Sequence, residues 1–371
     1  MGYDKIIGTL PDPFMRKDGT RVKDLSEWKS QREVLLKQVI DLEYDGMPPK
    51  PEFVKVVPLS LEVRGFTDWY KIYAGTKDKQ ISFLLELNVP RSNAEKFPVV
   101  LTGDMCYHNC EEEVINEGNR RGYIVARFNR LEIAPDMFLD PEVMNDRNEG
   151  IYLLYPEGNF SAISAWAWGY QVVMDAFKQI SYVDETEVGI TGHSRGGKTV
   201  LLAAATDERI KYVCPNNSGT HGCACYRYQT YDYGPNNTRS EHIEDMFRAF
   251  PYWMGKGLKK YIDKEEELPH DMHFLGALIA PRYYLQCEGM QDYWINPKGS
   301  WQTFMAVKDI YRHLGCEDNA AAWFRPGFHR HNLPDFSMFM DFMDSKRNNK
   351  PLPEHLAINP YPDMEKAYSW R

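Results

Sequence analysis

No apolar run in this chain approaches the length that a bilayer-spanning helix requires. Positive charge is also in deficit: 44 Lys and Arg stand against 53 Asp and Glu, a formal charge of −9. The first absence excludes a spanning helix. The second argues against nucleic acid and anionic membrane as partners, because both want a basic face. Cysteine is sparse and odd in number. The seven residues, Cys106, Cys110, Cys214, Cys223, Cys225, Cys287 and Cys316, include no Cys-x-x-Cys pair of the structural-zinc kind and read as reduced thiols of a reducing compartment. His270-x-x-His273 lacks a nearby third ligand, so no metal is expected. Internal repeats and low-complexity tracts are missing as well. The opening Met1-Gly2-Tyr3-Asp4-Lys5 has no apolar signal region, and residue 6 is Ile where a myristoylation site needs Ser or Thr. As written the chain reads as cytoplasmic, or as secreted or periplasmic if a leader precedes it.

What is present is the material of a large core: 43% hydrophobic residues, 13% of all residues aromatic, a composition far from the disordered class. Residues 1–50 are polar and Pro-punctuated, with one amphipathic helix over Leu25–Leu42. Alternating stretches at Val54–Val63, Trp69–Ala74 and Ile81–Leu87 predict antiparallel strands. From Phe97 the rhythm becomes strand–helix–strand: Pro98–Leu101, Tyr123–Ala126, a helix over Ser161–Ile180, then Val188–Ile190 and Tyr212–Cys214. About residues 218–262 the rhythm breaks, as for an insertion over the sheet. It resumes with a helix at Asp271–Ile279, a strand at Arg282–Cys287, a helix at Pro297–His313, a strand at Ala321–Phe324 and a final helix near Asp335–Ser345. Such alternation implies a mostly parallel central sheet with helices on both faces, a three-layer α/β sandwich. The whole of 1–371 reads as one domain, with 1–95 as an N-terminal extension bearing the antiparallel strands.

The most informative segment is Gly192-His193-Ser194-Arg195-Gly196-Gly197-Lys198, between the strand Val188–Thr191 and an Ala/Leu-rich helix over Thr199–Thr206. Strand, Gly-x-Ser-x-Gly and helix together are the setting of a nucleophile elbow, whose sharp turn lifts a serine Oγ clear of the sheet. A serine hydroxyl needs an imidazole base, itself oriented by a carboxylate. In this fold the acid and then the histidine follow the serine in chain order. Asp292, just after the strand that begins at Arg282, is the acid, with Glu288 nearer the strand end as its competitor. His329 in Gly327-Phe328-His329-Arg330-His331 is the base, with His331 as the alternative. His193 is expected to pack under the elbow. Arg195 and Lys198 put two positive charges on a helix N-terminus, against its dipole, and so predict an anionic or oxyanionic ligand.

With these residues in hand, the chain resembles carbohydrate esterase family 15, the glucuronoyl esterases, and in particular its bacterial members. The likeness runs in order through Leu10-Pro11-Asp12-Pro13, Phe128-Asn129-Arg130, Ile133-Ala134-Pro135-Asp136, Ala165-Trp166-Ala167-Trp168-Gly169 and the elbow. It continues through Asn217-Ser218-Gly219, Phe250-Pro251-Tyr252-Trp253, Ala277 to Arg282, Asp292 to Pro297 and Arg325-Pro326-Gly327-Phe328-His329. The resemblance implies an α/β-hydrolase fold and serine-dependent cleavage of 4-O-methyl-glucuronoyl esters between xylan and lignin alcohols, with no cofactor. The substrate is then a small-molecule or oligosaccharide ester, and the protein a monomer. Alternatives are an acetyl or other carboxylic-ester hydrolase of the same fold, or a non-catalytic carbohydrate-binding relative. The resemblance further implies that Arg195 stabilises the oxyanion with side chain and backbone, together with a backbone N–H from Thr102 to Cys106. Lys198 is similar to a lysine that contacts sugar hydroxyls, Trp253 to a tryptophan lining the uronate site, and Glu241 falls near a sugar-binding glutamate. Two departures stand out. Asn217 lies where fungal members carry the acid, and an amide cannot balance an imidazolium. His193 replaces an elbow cysteine. Asp292→Asn is therefore expected to cost orders of magnitude in kcat, and Asn217→Ala little.

Overall fold

The computed structural model describes residues 2–61, 67–136 and 147–370. The strands are β1 (Tyr3–Ile6), β2 (Phe53–Ser60), β3 (Thr67–Gly75), β4 (Gln80–Asn88), β5 (Phe97–Thr102), β6 (Ile124–Phe128), β7 (Val183–His193), β8 (Tyr212–Asn216), β9 (Tyr228–Tyr231), β10 (Tyr283–Gly289) and β11 (Ala320–Arg325). The main helices are α1 (Leu25–Glu43), α2 (Glu112–Arg120), α3 (Ala162–Phe177), α4 (Arg195–Thr206), α5 (Ile243–Ala249), α6 (His273–Ile279), α7 (Pro297–His313) and α8 (Leu333–Arg347). A sheet in the order β11-β10-β8-β7-β5-β6-β4-β3-β2 forms the centre. Its strands run parallel from β11 to β6 and antiparallel from β6 to β2.

The parallel strands are apolar on both faces because helices cover both. In β5, Val99 and Leu101 join the core beneath α3 and α4, while Val100 joins the one beneath α8 and α2. Ile124 and Ala126 divide from Val125 in the same way, and Tyr284 from Leu285. Side chains alternate across a strand, so a continuous apolar run such as Phe97-Pro98-Val99-Val100-Leu101 is what a two-faced burial demands. The α/β-hydrolase architecture follows from this layering. Helix starts are chemically marked: Ser161 Oγ accepts from Ser164 N–H at 3.2 Å, and Asn296 caps α7 directly before Pro297.

Several boundaries moved for physical reasons. The strand expected over Val54–Val63 spans Phe53–Ser60; residues 62 and 63 lie outside the described residues. The helix expected from Asp271 starts at His273, because the Asp271 carboxylate accepts from the N–H groups of Tyr226 and Met272. The N-terminal extension carries a strand that the sequence pattern did not reveal. β1 pairs antiparallel with β9, inside the 218–262 segment, to form a separate two-stranded sheet.

Glu43, the last residue of α1, fastens the extension to that segment. Its buried carboxylate accepts from His221 Nδ1 (2.8 Å), His270 Nε2 (2.6 Å) and the Tyr226 hydroxyl (2.8 Å). Burial alone would raise its pKa, yet the hydrogen bonds from His221 and His270 prevail and hold it near 2. His270 and His273 thus serve different partners, since His273 Nε2 donates to the Pro11 carbonyl at 2.8 Å. The seven cysteines form no disulfide.

Backbone packs tightly on backbone at the elbow. A Cβ on Gly192 would sit 2.5 Å from the Gly196 carbonyl oxygen. Gly192→Ala is therefore expected to destabilise the protein by about 1–3 kcal/mol, the usual magnitude for overpacking; urea denaturation of the variant with a wild-type midpoint would contradict this tight turn.

Candidate active site

β7 ends at His193, Ser194 takes φ 57° and ψ −120°, and α4 begins at Arg195. A left-handed conformation for a residue with a Cβ stores on the order of 1–3 kcal/mol and persists only where neighbours enforce it. Here the enforcement is visible: Ser194 N–H donates to the Asn216 carbonyl of β8 at 2.9 Å, and Gly192, Gly196 and Gly197 allow strand, turn and helix to touch. The Ser194 side chain does not cap the helix behind it. Its hydroxyl is left for other chemistry beside the positive end of the α4 dipole.

His329 lies on the loop between β11 and α8, and Asp292 on the loop after β10. His329 Nδ1–H donates to Asp292 Oδ2 at 2.5 Å, which leaves Nε2 as the basic nitrogen of the neutral ring. The His329 ring packs on His193, the residue before Ser194, at 4.3 Å between centroids, and its side chain is 40% exposed. Among the described residues no hydrogen bond joins Ser194 Oγ to His329. Such contacts are often long in unliganded sites and tighten on substrate binding. The structure therefore brings His329 and Asp292 into contact and sets the pair against the elbow.

The competitors are placed otherwise. His331 is buried, within 3.3 Å of Thr191 Oγ1 through Nε2 and stacked on Phe336 at 4.1 Å. Burial pushes its pKa down to about 3, so it is a neutral floor to the site. Glu288 is fully buried. Burial, and then the charge of Asp292, push its carboxyl well above the usual carboxylate range, which disfavours a second negative charge there. His193 packs under the elbow: its Nδ1–H donates to Asn216 Oδ1 at 2.7 Å, and burial keeps it neutral.

On the other side of the serine, two buried acids organise the cations. Asp104, after β5, accepts from the His193 N–H at 2.6 Å and pairs with the buried Arg130. Asp136 accepts from Arg195 Nη1 (2.9 Å), the Tyr252 hydroxyl (2.6 Å) and Trp253 Nε1 (3.1 Å). The Arg195 guanidinium lies over Trp253 and Phe250, at 4.3 and 4.8 Å from their centroids. Lys198 Nζ donates to the Thr220 carbonyl and to Glu241 Oε2, the latter at 3.2 Å. Burial lowers the Lys198 pKa and raises that of Glu241.

Two expectations need correction here, one for the cations of α4 and one for Asn217. The cations at the start of α4 do not await an anion to balance them, since each already has a carboxylate, contributed by a distant segment. Trp253, expected to line a sugar site, is 2% exposed, as is Lys198; Phe250 stacks on the indole at 3.7 Å, and the Arg195 guanidinium lies 4.3 Å from its ring centroid. Asn217, expected to be idle, donates from Nδ2 to Asp292 Oδ2 at 2.8 Å. Sequence reasoning gave no role to Asp104, Arg130, Asp136 or Asn216. Asp104 and Arg130 follow the C-terminal ends of parallel strands, where such sheets place their sites, and that position was the available signal.

Comparison with known proteins supplies a family. A family model described as glucuronyl esterase, fungi, matches residues 72–315. A 4-O-methyl-glucuronoyl methylesterase of Cerrena unicolor is 27% identical over 317 residues, covering 84% of this chain and 63% of that protein, so the chain spans less than two thirds of its length. A carbohydrate esterase of an unknown prokaryotic organism is 28% identical over 400 residues, covering 91% of this chain and 89% of that one. Among solved structures, a carbohydrate esterase family 15 glucuronoyl esterase from Caldicellulosiruptor kristjansonii superposes with a TM-score of 0.79 at 28% identity, over 97% of each chain.

The buried His331 makes stability depend on pH. The unfolded chain protonates this ring near its ordinary pKa of about 6.5, whereas the folded one does so only near 3. Between these values the unfolded state binds more protons, so stability falls as pH drops through that window. One such ring contributes at most about 1.4 kcal/mol per pH unit. Urea midpoints measured between about pH 7 and 5 should fall less steeply for His331→Phe than for wild type; identical slopes would contradict the buried, neutral assignment.

Proposed function

The chain belongs to the glucuronoyl esterase family, carbohydrate esterase family 15, and from that premise we propose that it is a serine carboxylic-ester hydrolase acting on 4-O-methyl-glucuronoyl esters. The observation that carries the proposal is the 2.5 Å contact of His329 with Asp292 beside a left-handed Ser194.

In this reading His329 Nε2 takes the Ser194 hydroxyl proton as Oγ attacks the ester carbonyl. Asp292 holds the imidazole in the tautomer that exposes Nε2 and stabilises its protonated form. The tetrahedral oxyanion faces the backbone N–H of Arg195 at the start of α4, with the guanidinium beside it. A second donor comes from the loop after β5. There the N–H groups of Gly103 and Asp104 are already taken by the Tyr170 hydroxyl and Thr102 Oγ1, which favours Met105 or Cys106. Each well-placed donor is worth about 3 kcal/mol in the transition state. His329 then gives its proton to the leaving alcohol oxygen, the C–O bond breaks, and the acyl group remains on Ser194. Water, deprotonated by the same imidazole, attacks the acyl-enzyme and releases the uronic acid and free serine.

The sugar side is assigned to the Lys198–Glu241 pair, whose mixed donors and acceptors suit ring hydroxyls. Glu241 is held from behind: its N–H donates to the Trp294 carbonyl and its carbonyl accepts from Thr220 Oγ1. Trp253 fixes Arg195 and Asp136 beside it.

A fluorophosphonate probe should label wild type and not Ser194→Ala. The variant should lose at least about 10⁴-fold in kcat, as triad knockouts do. Benzyl glucuronate should be turned over faster than nitrophenyl acetate. Rapid acetate release without glucuronate turnover would replace the uronate reading with an acetyl esterase, and absence of labelling would mean a non-catalytic relative.

A further inference from the structure

We propose that Asn217 is a positioning residue for the acid of this site, its amide fixing the Asp292 carboxylate in the orientation that receives the His329 Nδ1–H. The inference rests on the triad reading above and adds to it a residue that the sequence set aside.

Asn217 Nδ2 and His329 Nδ1 donate to the same oxygen, Asp292 Oδ2, at 2.8 and 2.5 Å. A carboxylate that pivots about its Cβ–Cγ bond has only a broad, roughly two-fold preference of its own. A second donor on the reacting oxygen, placed from a rigid element, removes that freedom before substrate arrives. The rigid element is the end of β8. Asn217 is fully buried with φ 45°, and its backbone N–H donates to the Cys287 carbonyl of β10 at 2.9 Å. The approach requires space, and Gly289 provides it: a Cβ there would lie 3.1 Å from Asn217 Nδ2.

The other end of the side chain argues against a merely structural role. Asn217 Oδ1 is buried without a hydrogen-bond partner, a penalty that packing alone gives no reason to keep. Residue type matters too. A carboxylate at 217 would stand against Asp292, in a pocket that already holds the buried Glu288. An amide donates without adding charge, so Asp292 remains the ionised group. The preceding Asn216 holds the His193 ring on which His329 packs. Two consecutive asparagines thus support the base, each through one intermediary.

The test uses the intact protein and benzyl glucuronate, with Asn217→Gly, Asp292→Asn and the exchange Asn217→Asp/Asp292→Asn. Glycine removes the amide while tolerating the left-handed backbone, and Asp also tolerates it. Asn217→Gly should lower kcat roughly 10- to 100-fold, as loss of a supporting hydrogen bond does, with KM changed less than about twofold. The exchange returns a carboxylate to within one hydrogen bond of the imidazole and should recover at least about tenfold of the kcat lost in Asp292→Asn. A wild-type kcat in Asn217→Gly, or an exchange variant no faster than Asp292→Asn, would overturn the proposal alone. If Asn217→Gly does not fold, the exchange decides. A wild-type kcat in Asp292→Asn would instead overturn the triad reading, and this proposal with it.

Discussion

One carboxylate oxygen, Asp292 Oδ2, is the point at which this site is assembled. It accepts from the imidazole of His329 and the amide of Asn217, so it binds together the loops that follow β11, β10 and β8. None of these segments is near the others in the chain. The sheet order β11-β10-β8-β7 lays their C-terminal ends side by side and puts Ser194 on the neighbouring strand end. Parallel strands make this possible, since their C-terminal ends all open on one edge of the sheet. What the fold supplies is a shared edge, and what the side chains supply is direction.

Around that point the protein buries charge in compensated sets: Asp104 with Arg130, Asp136 with Arg195, and Lys198 with Glu241. Buried ion pairs are weak contributors to stability, because desolvation consumes much of the Coulomb gain. Their effect here is orientation. Asp104 grips the His193 N–H and so the strand end that carries the serine, and Asp136 holds Arg195 beside Trp253. Dipoles fixed in this way need no reorganisation when charge develops on a substrate, which is the main source of electrostatic catalysis.

The division between what the sequence revealed and what it withheld follows the range of the forces. Local ones were legible. The elbow was readable because strand, glycines and helix are contiguous, and α7 was placed residue for residue because Pro297 marks its start. Asp292 and His329, which the structure brings into contact, were singled out by chain order within the fold. What escaped was decided by partners far away in the chain. The dipole argument left Arg195 and Lys198 open to an anion, since nothing near them shows that Asp136 and Glu241 arrive from other segments. Asn217 was read by its chemistry, an amide unable to balance an imidazolium, and that chemistry is right; its role as a donor depends on where Asp292 points. β1 was missed for the same reason, as its partner β9 belongs to the 218–262 segment.

The most direct measurement of the central contact is the proton NMR spectrum of the free enzyme in the far-downfield imidazole region. A short Nδ1–H···carboxylate bond predicts a strongly deshielded resonance that persists in Ser194→Ala, disappears in His329→Gln and moves upfield in Asp292→Asn. A spectrum without that resonance, or one in which it survives unchanged in Asp292→Asn, would contradict the account.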